Sequence, residues 1–421
     1  MTSHTCNGIA ELWDDFPDFE ELFLVSDANS SRIYATPYLI NCIYLFVINL
    51  IFKAMNWKEE LIESIKISQH AEEWLPVSAL ERDRISKAKQ QFPMMVPVGY
   101  ADLVDWENPD DPLRQLLLPS EWEVDDSGSF DTSGEEFSTI IQGLQHKYEQ
   151  TAVLIVTQAC AGHCRYCFRR RLMSRDVLVK ETIEDLQDAI AYISMHPEID
   201  NVLLSGGDPM ICHTNRLKNI FNALAAIPHI WQIRISSKLP AFLPSRFTSD
   251  PNLLEVLQEY QSRFQIVIQC HYDHPRELTP ASIAALESLQ KAGCLLTSQI
   301  ALMKGVNNTV DTLTELFKRL HRYGVIPQYL FHPRPVKHAT HFQFPIVEGL
   351  ELVETVRKRC NGSVKRFRYI LTHADGKLEL LGVIPGESMQ LITKWQQVRK
   401  GIEKPELMLV NLHKNTCWID N

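Results

Sequence analysis

Positive charge is scarce in this chain. Its 42 Lys and Arg residues face 52 Asp and Glu, giving a formal net charge of −10. It therefore lacks the basic field that phosphate-backbone binding needs, which excludes nucleic acid as a general partner. The acidity is local: residues 101–140 carry twelve Asp and Glu and one basic residue, Arg114, as in a solvated connecting segment. A disulfide framework is absent too. Of ten cysteines, seven stand alone, at Cys6, Cys42, Cys212, Cys270, Cys294, Cys360 and Cys417, a usage that fits a reduced, cytoplasmic protein. No internal repeat, low-complexity tract or basic signal-peptide n-region is visible. One long uncharged run is present, Ile33 to Phe52, and it has the length of a bilayer span. Thr36, Pro37, Asn41 and Asn49 interrupt it, and the residues before it are acidic. A buried helix, or a contact between subunits of a homo-oligomer, is the expected use. As a span, it would leave Lys53, Lys58 and the rest of the chain in the cytoplasm.

The pattern divides the remaining sequence. Residues 1–110 read as a helical region, with helical spacing at Trp57 to Gln69 and Ser78 to Gln91. Residues 111–150 form an acidic connector and a pre-barrel segment, rich in Pro and Asp from Asn108 to Phe137. From 151 to 345, short apolar runs alternate with amphipathic ones. Candidate strands are Ala152 to Val156, Asn201 to Leu204, Gln232 to Ser236, Gln265 to Cys270, Leu295 to Met303 and Gln328 to Phe331. Candidate helices are Glu181 to Met195, Thr214 to Ala226, Pro251 to Tyr260, Pro280 to Ala292 and Val310 to Tyr323. Six βα units predict an α/β fold, a parallel sheet curled into an open partial (β/α)6 barrel. Ligands gather at the C-terminal ends of such strands. Residues 346–421 are expected to be a small α+β extension closing the barrel. In it, His373-Ala-Asp-Gly-Lys377 reads as a turn between two β-like runs.

Directly after the first candidate strand come Cys160, Cys164 and Cys167, spaced C-x3-C-x2-C, with Tyr166 before the last. A closed zinc site would need a fourth ligand. His163 lies in the loop, but no second Cys or His pair follows at a suitable distance. Three thiolates on a four-iron cubane leave one iron open to a small molecule, which turns an electron-transfer cluster into a catalyst. The second strand runs into Ser205-Gly206-Gly207-Asp208-Pro209, where glycines let a ligand approach the backbone or simply make a βα turn. Arg169, Arg170 and Arg171 follow the last cysteine. Any of them could grip a carboxylate bidentately or form a solvated basic run.

The cysteine spacing resembles the signature of the radical S-adenosylmethionine (SAM) superfamily, and further phrases resemble its lysine 2,3-aminomutase family. These are Gly143-Leu-Gln-His-Lys-Tyr148, Leu203-Leu-Ser-Gly-Gly-Asp-Pro209, Ala226-Ile-Pro-His229, Pro240-Ala-Phe-Leu-Pro-Ser-Arg246, His271-Tyr-Asp-His-Pro275, Lys304-Gly-Val-Asn307 and His341-Phe-Gln-Phe-Pro345. The resemblance implies a [4Fe-4S] cluster on Cys160, Cys164 and Cys167, and SAM held by Ser205, Gly206, Gly207 and Asp208. It implies an electron donor such as flavodoxin or ferredoxin. It also implies a 1,2-amino shift through a 5′-deoxyadenosyl radical and a pyridoxal phosphate (PLP) aldimine. Lys377 stands at the position of the PLP lysine, and Arg169 would hold the substrate carboxylate.

The sequence departs from the family at specific positions. Two arginines expected to grip the PLP phosphate are here Lys147 and Thr151. Aspartates expected around a distal ammonium are here Asn308 and the stretch Tyr369, Ile370 and Leu371. A second ammonium would be poorly compensated, so the expected substrate is an amino acid other than lysine. The cysteine-rich C-terminal zinc site of the family has no counterpart, since only Cys417 lies in the tail. Two other readings stay open. One is a PLP-independent radical SAM enzyme performing epimerisation, dehydrogenation or modification of a protein side chain. The other is a cluster used only as a redox sensor.

Overall fold

The computed structural model describes residues 55–173, 186–385 and 389–419. The uncharged run at 33–52 lies outside the described residues. Among those described, no helix is long and apolar enough to cross a membrane.

Twelve strands form one sheet in sequence order. They are β1 (Thr139–Ile141), β2 (Leu144–Tyr148), β3 (Thr151–Thr157), β4 (Asn201–Gly206), β5 (Gln232–Ser237), β6 (Gln265–Cys270), β7 (Leu295–Ala301), β8 (Ile326–Phe331), β9 (Arg368–His373), β10 (Gly376–Ile384), β11 (Met389–Val398) and β12 (Leu407–Leu412). Pairing is parallel from β3 through β9. It is antiparallel at both ends. The six expected strands are β3 to β8, each shifted by no more than two residues at an end. The antiparallel strands β1, β2, β11 and β12 were not legible as strands. β1, β2 and β11 mix polar and apolar residues, and β12 carries only the short apolar run Leu407 to Val410.

Each central strand has two faces, as a period of two requires. One face is apolar and meets the helices: Leu154, Val202, Leu204, Ile233, Ile235, Ile266 and Ile268 are buried there. The alternate residues, among them Thr151, Ser205, Arg234, Ser236, Gln269 and Gln299, line an internal cavity. The helix Val310–Arg322 shows how the outer layer is held. Thr309 caps it by accepting from the Thr312 amide at 3.2 Å. Leu313, Leu316, Phe317 and Leu320 then bury one face, and Phe317 stacks on Phe367 at 4.0 Å. Burying each such side chain contributes about 1.5–3 kcal/mol.

The sheet curls until the β9–β10 hairpin meets its first strands. Lys147 of β2 donates through Nζ to the His373 carbonyl at 2.8 Å. The Lys400 amide donates to the Lys147 carbonyl at 2.8 Å. The expected turn at 373–377 is this hairpin: β9 and β10 are joined through Ala374 and Asp375, with Gly376 at φ 153°. Its tip is thereby pinned beside β2.

A second apolar cluster packs the segment from Ala71 to Leu118 onto Phe242, Met303, Val336 and Phe342. Cys164, Tyr166 and Phe168 of the cysteine loop lie against it.

Candidate active site

Cys160, Cys164 and Cys167 line the internal cavity together with Gly206, Gly207, Arg169 and Lys377. The fold thus brings together residues from three separate parts of the chain.

The cysteine loop is fixed from outside the cavity. Arg165 donates to the Glu123 carboxylate through Nε at 2.8 Å and Nη2 at 2.5 Å, and to the Pro93 and Phe92 carbonyls. Arg170 reaches the same carboxylate at 2.6 Å and the His338 carbonyl at 2.7 Å. Burial opposes the charge on Glu123, but the two guanidinium groups outweigh it and hold the carboxyl below its usual range. Arg170 is therefore consumed in anchoring the loop. Arg171 pairs with Glu135 at 2.8 Å. Of the three consecutive arginines, Arg169 is the one that lines the cavity.

His163 turns away from the thiols. Its ring stacks on Phe92 at 5.3 Å and its Nδ1 meets the Pro93 carbonyl at 2.9 Å. Among the described residues, the group close enough to share one metal ion is His146, His196 and Glu198, and the three thiols do not form such a group. Three cavity-facing thiols without a fourth protein ligand suit a cubane with an open iron better than a zinc ion. Burial pushes all three thiols up, so iron would have to replace their protons.

The glycine pair lines the cavity and also has a structural cause of its own. A Cβ on Gly207 would lie 2.2 Å from the Ala159 carbonyl oxygen, and one on Gly206, at φ 128°, 2.1 Å from that of Thr157. The pair lets β4 press against the backbone that enters the cysteine loop. The Gly207 and Asp208 amides donate to Thr157 and Ala159 carbonyls at 2.7 and 2.9 Å. The Asp208 carboxylate accepts from the Met210, Lys238 and Leu239 amides and from Ser237. Burial still raises it to about 6. Ser205 Oγ accepts from Arg169.

Arg169 also meets Glu135, through Nε at 2.8 Å and Nη2 at 2.7 Å. Burial raises Glu135, yet Arg169 and Arg171 bring it to about 2. One carboxylate facing two guanidinium groups leaves a net positive charge available to a ligand.

Lys377 projects from β10 into the cavity. Its Nζ lies 4.7 Å from the Tyr329 ring centroid and 5.6 Å from that of Tyr148. It makes no ion pair among the described residues. Burial, then Arg234, Lys147 and Arg334, depress it to about 7. An amine so placed is about half neutral near pH 7, and its neutral form is nucleophilic.

Three cations surround it: Lys147, which stands at an expected phosphate arginine, and Arg234 and Arg334, which the sequence did not single out. Arg234 donates to Asn201 Oδ1 at 2.6 and 3.0 Å and to Thr151 Oγ1 at 3.3 Å. Lys147 donates to the Ser133 and His373 carbonyls, and burial followed by Arg334 lowers it to about 7. Arg334 follows β8 and donates to Ser133 Oγ. The alternation Gln-Ile-Arg-Ile-Ser in β5 was a usable signal for Arg234. His271, with Nε2 2.9 Å from Ser236 Oγ, is another cavity residue and is lowered to about 4 by burial.

The positions expected to decide the distal group lie outside the cavity lining. Asn308 accepts from the Gly305 amide at 2.9 Å and does not line the cavity. Ile370 and Leu371 are fully buried, and the Tyr369 hydroxyl bonds His332 at 2.6 Å.

Comparison with known proteins agrees with this geometry. The pattern of the Radical SAM superfamily matches residues 154–325. A putative L-lysine 2,3-aminomutase of Aquifex aeolicus is 40% identical over 304 residues, covering 72% of this chain and 81% of that one. The L-lysine 2,3-aminomutase of Escherichia coli is 34% identical, covering 65% and 79%. That of Acetoanaerobium sticklandii is 30% identical, covering 73% of each chain.

Proposed function

The chain belongs to the lysine 2,3-aminomutase family of radical SAM enzymes, and we propose that it moves an amino group between adjacent carbons of an amino acid other than lysine, using PLP on Lys377. The observation that carries this reading is the buried, carboxylate-free amine of Lys377 in the same cavity as the three thiols. When bound, the [4Fe-4S] cluster and SAM supply a 5′-deoxyadenosyl radical, and PLP supplies the carbonyl carbon that carries the migrating nitrogen.

Cys160, Cys164 and Cys167 would hold the cluster. Gly206 and Gly207 would present backbone to the methionine end of SAM, with Ser205 and Asp208 beside them. Lys377 would bind PLP as a neutral amine. Its phosphate would meet Lys147 and Arg234, which supports the reading although Thr151 replaces one expected arginine. Arg169 would orient the substrate carboxylate, with Glu135 and Ser205 fixing its guanidinium plane. Neither cavity carboxylate is free for a second ammonium: Glu135 is shared by two arginines, and Asp208 is occupied by amides. That argues against lysine as substrate. A flavodoxin or ferredoxin would deliver the electron.

Thr151 favours a second reading, in which PLP is not used and the radical epimerises, dehydrogenates or modifies a protein side chain. Anaerobic reconstitution with iron, sulfide and PLP separates the two. The first expects stoichiometric PLP uptake with a visible absorbance that Lys377→Ala abolishes. An enzyme that cleaves SAM but takes up no PLP would establish the second.

A further inference from the structure

The cavity wall holds more positive charge than the cofactor reading consumes. Arg169 is paired with Glu135. Lys147 and Arg234 stand on either side of Lys377 and are assigned above to the phosphate. Arg334 is left over. It has no carboxylate partner among the described residues, and its hydrogen-bond partner is the neutral Ser133 hydroxyl. Burial lowers it to about 10, with Glu135 opposing the shift and Arg169 adding to it. A guanidinium held in a cavity wall without an ion-pair partner is favourably placed for a ligand that supplies one.

Its position indicates which ligand group that is. Arg334 lies over the Phe168 ring at 4.3 Å, and Arg169 lies over the same ring at 4.8 Å. The two guanidinium carbons are thus no further apart than the sum of those distances. A small molecule with two carboxylates can bridge them. Guanidinium groups recognise carboxylates bidentately, and a cation there repels a distal ammonium.

We infer that the substrate is a dicarboxylic amino acid, with its α-carboxylate on Arg169 and its side-chain carboxylate on Arg334. This rests on the aminomutase reading. Chemistry narrows the choice further. Moving the amino group of aspartate from Cα to Cβ regenerates aspartate, because both carbons carry a carboxylate. Glutamate gives a new compound, 3-aminopentanedioate. The exchange moves one amino group one way and one hydrogen atom the other, so no net oxidant or reductant is consumed. Glutamate is the smallest member of the class that the reaction changes.

The test uses full-length protein reconstituted anaerobically with iron, sulfide, PLP and SAM. Side-chain-deuterated glutamate, lysine and alanine are offered separately, and deuterium in 5′-deoxyadenosine is read by mass spectrometry. PLP content and the change in PLP absorbance on titrating each amino acid are read on the same sample. Glutamate should transfer deuterium and perturb the absorbance. Arg334→Gln should weaken that titration about tenfold to a hundredfold, the worth of a charged hydrogen-bond pair, with PLP content unchanged. Arg334→Lys should restore part of the affinity. If PLP is bound but glutamate neither titrates nor transfers deuterium, the inference falls and the aminomutase reading stands. Loss of PLP rather than of glutamate affinity in Arg334→Gln would overturn it as well, by assigning Arg334 to the phosphate. If wild-type protein binds no PLP, both fall.

Discussion

Lys147 and His373 are joined by a 2.8 Å hydrogen bond from the Nζ of one to the carbonyl of the other, across 226 residues of chain. This bond fixes the tip of the β9–β10 hairpin against β2, and Lys377 stands four residues beyond it. Lys147→Met should therefore loosen the hairpin as well as remove a cation. With Lys147 lowered to about 7, the bond contributes about 1.5 kcal/mol, so PLP affinity should fall about tenfold. Iron content should not change. Equilibrium dialysis of PLP beside an iron assay checks both.

The depressed Lys377 amine gives a pH dependence with a defined sign. Its folded-state value of about 7 lies below the ordinary 10.5. Between those values the unfolded chain binds a proton that the folded apoprotein does not, so this lysine's contribution to stability rises with pH across the window. PLP uptake should rise with pH and reach half its maximum near pH 7. Removing the neighbouring charge in Arg234→Gln should move that midpoint upward. An absorbance titration from pH 6 to pH 10 reads it, and a wild-type midpoint near the ordinary lysine value would contradict the assignment.

Gly207→Ala tests the contact between β4 and the cysteine loop. The added methyl would sit 2.2 Å from the Ala159 carbonyl oxygen, and backbone on both sides leaves little room to yield. The loop must shift, and reconstituted iron and sulfide should drop well below wild type. Gly382→Ala, where nothing lies within 4 Å, is the matched control and should assemble a full cluster.

Glu123→Gln removes the carboxylate from between Arg165 and Arg170, which are themselves buried. Breaking a buried ion pair from one side costs about 3–5 kcal/mol. Denaturant unfolding of the apoprotein should show a loss of that order. The carboxyl lies below its ordinary 4.5. Its contribution is thus present above that pH and lost as pH falls towards and through the folded value. The wild-type and Glu123→Gln curves should therefore converge in acid. Parallel curves down to pH 3 would count against the network.

The barrel was readable because its strands are apolar on one face and its helices are punctuated by Pro, Thr and Gly. The thiols, the glycine pair and Lys377 were readable because each belongs to a short local motif. Arg334 was not, because His-Pro-Arg-Pro after β8 has no periodicity, and only the curl of the sheet turns it inward. Lys147 was read only as a departure from an expected phosphate arginine, while its bond to the β9–β10 hairpin spans 226 residues of chain and leaves no local trace. Asn308 was given a role that its place outside the cavity removes. The reason for the glycines was also hidden, since what they accommodate is the neighbouring loop backbone.

The close seam between Gly206, Gly207 and the Thr157–Ala159 backbone has an evolutionary consequence. It welds the thiol loop to the adjoining strand as one unit that tolerates little change. Arg334, which would select the substrate side chain, hangs from the loop after β8, outside that seam. Inheritance can therefore conserve the source of the radical while selection retargets it, one loop at a time.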